Sequence, residues 1–139
     1  MYYQSRYHLS NGRLSLALDS LTGELLELVD ETSGENLIKN HTFALPQPFA
    51  ILAKKGEACL HPGSAETIAR YPQLQPEIAV SPEGQSATVT YHALWDGERP
   101  WEVQVKYTVE LTENGDSQWR IHVENHSTET LKEVRFPCV

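Results

Sequence analysis

Between residues 102 and 112 the apolar positions are Val103, Val105, Tyr107, Val109 and Leu111, with polar residues in every place between them. Alternation of period two over this length puts one face of a strand in a core and the other in water. Residues 118–124 repeat the pattern with Trp119, Ile121 and Val123, which predicts all three, Trp119 included, as core residues. Asn114-Gly115, a pair that tolerates positive φ, lies between the two segments and predicts an antiparallel hairpin.

The same reading extends upstream. Residues 86–94 alternate through Ala87, Val89, Tyr91 and Ala93, and residues 77–80 form a short strand closed by Pro82-Glu83-Gly84. Leu14, Leu16 and Leu18 alternate after the Asn11-Gly12 turn, residues 25–29 follow the Thr22-Gly23 turn, and residues 131–136 make a final strand. Residues 24–29 carry the leucines and glutamates of a helix former. Gly23 and Gly34 confine them to a length at which an isolated helix is marginal, so a strand is expected. The proline-rich middle, residues 41–75, predicts one or two short strands and a long surface loop. Short strands, glycine turns and weak helical signals predict an all-β fold, an antiparallel β-sandwich. With no repeat of fixed period and no low-complexity linker, residues 1–139 read as a single domain.

Charge narrows the partners. The chain has 11 basic and 19 acidic residues, a net charge of −8, and no cluster of Lys or Arg. Nucleic-acid affinity rests on phosphate neutralisation, so no nucleic acid is expected, and an anionic membrane surface is disfavoured for the same reason. No apolar run approaches a bilayer span, and the N-terminus lacks the pattern of a secretory signal, so a cytoplasmic location is expected. Cys59 and Cys138 do not make a disulfide framework, although a bridge between them is geometrically open. The sequons at Asn40 and Asn125 carry no meaning without a secretory route.

Two stretches look familiar together. Residues 11–38, from Asn11-Gly12-Arg13-Leu14 through Asp19-Ser20-Leu21-Thr22-Gly23 to Asp30-Glu31-Thr32-Ser33-Gly34-Glu35-Asn36-Leu37-Ile38, are one. Residues 105–111 with 119–127, which end in Val123-Glu124-Asn125-His126-Ser127, are the other. In this order they resemble β-supersandwich domains of the galactose-mutarotase-like class, found at the front of many bacterial glycoside hydrolases and in sugar-ring epimerases. The resemblance implies a supersandwich-like fold, of which this chain holds a part, and a carbohydrate-enzyme setting. An epimerase of that class would use a histidine acid and a carboxylate base in a sandwich about twice the length of this chain. No such motif falls on His122 or His126, so the resemblance carries over no catalytic residue.

Read directly, the residues also supply no catalytic set. There is no nucleophile elbow and no phosphate loop. Glycoside cleavage needs two carboxylates at a set separation. Asp19, Glu24, Glu27, Asp30 and Glu31 instead occupy the places of a solvated hairpin edge. His122 and His126 have a spacing that binds metal on a helix, but here they span a strand end and a turn, so no metal and no cofactor is expected. The connector Trp95-Asp96-Gly97-Glu98-Arg99-Pro100-Trp101 offers aromatic rings for stacking on sugar C–H faces and polar groups for hydroxyls. Trp95, Arg99 and Trp101 are therefore the candidate carbohydrate-binding residues, weighed against tryptophans that cap a sheet end. Together these readings predict a non-catalytic domain of a glycoside-hydrolase-like protein, contacting a catalytic domain in cis or another copy of itself. A stand-alone carbohydrate-binding module and a mutarotase-like sugar epimerase are the alternatives.

Overall fold

The computed structural model describes residues 5–36, 49–53 and 58–136. Four strands, β1 (Arg6–Ser10), β2 (Leu14–Asp19), β3 (Leu25–Asp30) and β4 (Glu35–Asn36), form one sheet in chain order. Next come β5 (Ala50–Ala53), β6 (Ala58–Leu60), a helix α1 (Ala65–Arg70) and a 3-10 turn over Pro72–Leu74. The chain continues through β7 (Glu77–Val80), β8 (Ser86–Tyr91), β9 (Leu94–Trp95) and β10 (Pro100–Trp101). It ends in β11 (Val103–Leu111), β12 (Ser117–Asn125) and β13 (Leu131–Arg135). The second sheet has the order β12-β11-β8-β7, the third β13-β5-β6, and β9 and β10 form a two-stranded ribbon. Every pairing is antiparallel. The all-β sandwich-like architecture expected from the alternation is the one observed.

One core joins the sheets. It takes Leu9, Leu16, Leu18 and Leu25 from the first, Val89, Tyr91, Val105, Tyr107 and Val109 from the second, and Ile51 and Leu60 from the third. Burial of such side chains is worth about 25 cal/mol per Å² of apolar surface, which makes this shared core the main stabilising term. The register of β11 bears out its sequence: Val103, Val105, Tyr107, Val109 and Leu111 are all buried.

Its partner β12 differs. Trp119, Ile121 and Val123 point to the core side, as the alternation requires, but are only partly buried because β12 is the edge strand of its sheet. The hairpin turn is also wider than its Asn-Gly pair suggests. Thr112 N–H donates to Asp116 O at 2.8 Å and Gly115, at φ 86°, donates to Thr112 O at 3.1 Å.

Two other elements depart from the sequence reading. β1 was not legible, since only Leu9 of its five residues is buried. Within the supposed loop, residues 65–70 are helical: Ser64 caps α1 by accepting from Thr67 N–H at 3.2 Å, and Ile68 anchors it. Residues 24–29, where a strand is expected over a helix, do form strand β3 from Leu25 onward. The expectations for residues 37–48 and 54–57, the sequon at Asn40 among them, and for Cys138 lie outside the described residues. Cys59, on β6, is exposed.

The largest correction concerns acidic residues. Asp19 and Glu24 were read as solvated hairpin positions, yet they are 3% and 8% exposed. The turn they bracket is packed into the second sheet. Tyr91 donates its hydroxyl to Thr22 O at 2.8 Å, and Tyr107 donates to Gly23 O at 3.0 Å. Asp19 Oδ1 accepts from Leu21 and Thr22 N–H at 2.8 and 3.1 Å, so the turn's own polar groups are satisfied before it is buried.

Candidate functional site

The connector between Trp95 and Trp101 is a hairpin organised by one carboxylate. Asp96 Oδ1 accepts from Glu98 and Arg99 N–H, both at 2.7 Å, and Oδ2 accepts from the Trp101 indole N–H at 2.7 Å. Gly97, at φ 99°, supplies the left-handed residue that lets the loop close, and β9 then pairs Trp95 with Pro100 and Leu94 with Trp101. Desolvation alone would raise the Asp96 carboxyl. The two backbone donors, the indole and the Arg99 guanidinium outweigh it and hold the group below its usual range.

This geometry separates the two tryptophans. Residues directly opposite on a two-stranded ribbon share a face and successive residues alternate, so Trp95 and Trp101 lie on opposite faces. Trp101 is 5% exposed and belongs to the main core. Trp95 is partly buried in a small satellite cluster with Ile68, Leu74 and Ala93, its ring 5.2 Å from that of Tyr71. The two indoles do not form one flat platform. Arg99 lies over the Trp101 ring at 5.4 Å and 3.8 Å from Asp96, with its side chain largely exposed.

Arg99 and Trp101 are nonetheless brought to one concavity. The loop after β12 is fixed beside β10: His126 N–H donates to Glu102 O at 2.9 Å, Asn125 Nδ2 donates to Glu129 O at 2.7 Å, and Asn125 Oδ1 accepts from Ser127 N–H at 3.0 Å. Between loop and ribbon lies a cavity of about 320 Å³ lined by Arg99, Trp101, Glu102, His126, Ser127 and Glu129, among others. A guanidinium, an imidazole, a hydroxyl and two carboxylates in one recess can donate to and accept from a polar ligand on several sides. Across Pro100–Trp101 a second recess of about 360 Å³ is lined by Gln73, His92, Trp101 and Glu102.

His126, Ser127 and Glu129 were missed as site residues by the sequence reading. The signal available was Asn125-His126-Ser127, an Asx-turn sequence that fixes the loop, but nothing local tells which strand the loop will meet. His122 and His126 flank one carboxylate. Both lie against Glu124, at 3.3 and 3.2 Å, and their hydrogen bonds, His122 first, hold that exposed carboxylate below its usual range. Among the described residues no group of three or more His, Cys, Asp or Glu side chains is placed to hold a metal ion. None of their helices is long and apolar enough to cross a membrane.

Comparison of the chain with protein-family profiles, with curated proteins and with solved structures finds no match in any of the three. The likeness to galactose-mutarotase-like domains therefore rests on the two stretches of sequence alone.

Proposed function

We propose that the chain is a non-catalytic β-sandwich domain of a carbohydrate-active protein and that it contacts sugar in the cavity between β10 and the loop after β12. The observation that carries this reading is the convergence of Arg99 and Trp101 with His126, Ser127 and Glu129 around one polar recess. Its size suits a single sugar ring, whose hydroxyls need donors and acceptors on several sides. Asp19 and Glu24, the carboxylates buried among the described residues, are locked in a packed turn, away from this recess. A separate apolar recess of about 510 Å³ along α1, lined by Leu21, Ile68, Ala69 and Pro72, is suited to packing against a catalytic domain in cis.

One observation favours a second reading, a mutarotase-like epimerase: His126 shares the recess with Glu102 and Glu129, the acid and base types that ring opening requires. NMR titration of the chain with monosaccharides and oligosaccharides at about 10 mM separates the readings at the weak end of specific affinity. Shifts confined to residues 99–102 and 126–129, lost in Arg99→Ala, are expected. A flat titration for every sugar refutes the contact. Acceleration of aldose mutarotation that disappears in His126→Ala would establish the second reading instead.

A further inference from the structure

The two edges of the second sheet are unlike. β7 is four residues long and flanked by Pro76 and Pro82, which cannot donate to an added strand. β12 is nine residues long, free of proline, and pairs with β11 in unbroken register from Asn125 to Ser117. Among the described residues no strand lies on its other side.

The direction of its backbone groups follows from the ladder. The bonds His126 N–H to Glu102 O and Thr112 N–H to Asp116 O bracket the hairpin and place the hydrogen-bonded pairs at even-numbered residues. Trp119, Ile121 and Val123 therefore turn their N–H and C=O groups away from β11, toward the open edge. Their side chains lie on the partly buried core face, while Arg120, His122 and Glu124 are exposed on the other.

We propose that the chain forms a homodimer through β12, the two strands pairing antiparallel about a two-fold axis at His122. In this register Ile121 meets Val123 of the second copy on the core face, and their outward backbone groups bond each other. On the other face Arg120 meets Glu124 of the second copy, twice by symmetry. Moving the axis to Ile121 would set Arg120 against His122, and moving it to Arg120 would set two guanidiniums together. Charge thus favours this register over those two. The result is a continuous eight-stranded sheet with β7 at both ends.

Analytical ultracentrifugation at about 0.15 M salt, where the net charge of −8 is screened beyond ~8 Å, tests this directly. A concentration-dependent dimer is expected, weakened roughly tenfold or more by Arg120→Glu or by Glu124→Arg, since each sets like charges opposite at two places. The double exchange R120E/E124R restores the pairing and should restore the dimer. Circular dichroism of each variant establishes that the monomer is folded, and hydrogen exchange should show the amides of Trp119, Ile121 and Val123 protected only in the dimer. A folded monomer at every concentration up to about 1 mM, or a double variant no better than the singles, overturns the proposal.

Discussion

Gly23 adopts φ 75° in a turn pressed against Tyr91, and a Cβ at this position would fall on the Tyr91 hydroxyl. Left-handed backbone costs a non-glycine residue about 1–2 kcal/mol, and displacing the hydroxyl breaks its bond to the buried Thr22 carbonyl. Gly23→Ala should therefore lower stability by about 2–4 kcal/mol in urea denaturation. Tyr91→Phe leaves the same carbonyl buried without its donor and should cost about 1–3 kcal/mol. A loss below 0.5 kcal/mol in either would mean the turn is not held as described. Next to it, burial and then the charge of Asp19 raise the Glu24 carboxyl above its ordinary 4.5. The folded protein keeps this proton at pH values where the unfolded chain has released it. The stability contributed by Glu24 is thus complete below the unfolded value and is lost as pH rises through the folded one. Glu24→Gln, which removes the titration, should gain on the parent as pH rises above the ordinary carboxylate range. Stability curves that stay parallel through this rise would contradict the shift.

At the scale of the element, β11 and β12 have nearly the same sequence pattern and different environments. Val105 and Val123 stand directly opposite each other, yet Val105 lies in a strand flanked on both sides and is fully buried, whereas Val123 lies on the sheet edge and is half covered. Truncation to alanine should cost about 2 kcal/mol at Val105 and about half of that at Val123, in equilibrium unfolding of each variant at a concentration that keeps it monomeric. Equal losses would indicate that β12 is covered in solution. Alternation gives the face of each residue, so β2, β8, β11 and β12 were legible in the sequence, and turn residues marked β3, β7 and β13. It does not give the place of a strand in its sheet, so the partial exposure of Trp119 was not. Nor does it reach β1, with Leu9 as its one buried residue, or α1, whose six residues are too few to show a helical period.

The whole molecule is joined by a core to which all three sheets and the β9–β10 ribbon contribute. A core shared in this way should unfold as one unit. Far-ultraviolet circular dichroism, which follows the strands, and tryptophan fluorescence, which includes Trp95 in the satellite cluster on α1, are expected to give coincident denaturant transitions. An earlier fluorescence transition would mark α1 and its neighbours as a separate, weaker unit. The candidate cavity is also a property of this scale, for its walls come from residues 99–102 and 126–129, joined by the β11–β12 hairpin that folds one beside the other.

The sequence by itself determined the all-β class, the faces of the long strands and the turn-rich connector between Trp95 and Trp101, because these depend on interactions between residues close along the chain. The tertiary structure decided the rest. It buried Asp19 and Glu24 under hydroxyls contributed by Tyr91 and Tyr107, partners far away in sequence. It sent Trp95 and Trp101 to opposite faces of a ribbon, and it set His126 and Glu129 beside Arg99. Periodicity records which way a side chain points; what it meets there depends on how distant strands are ordered, and no local pattern encodes that order.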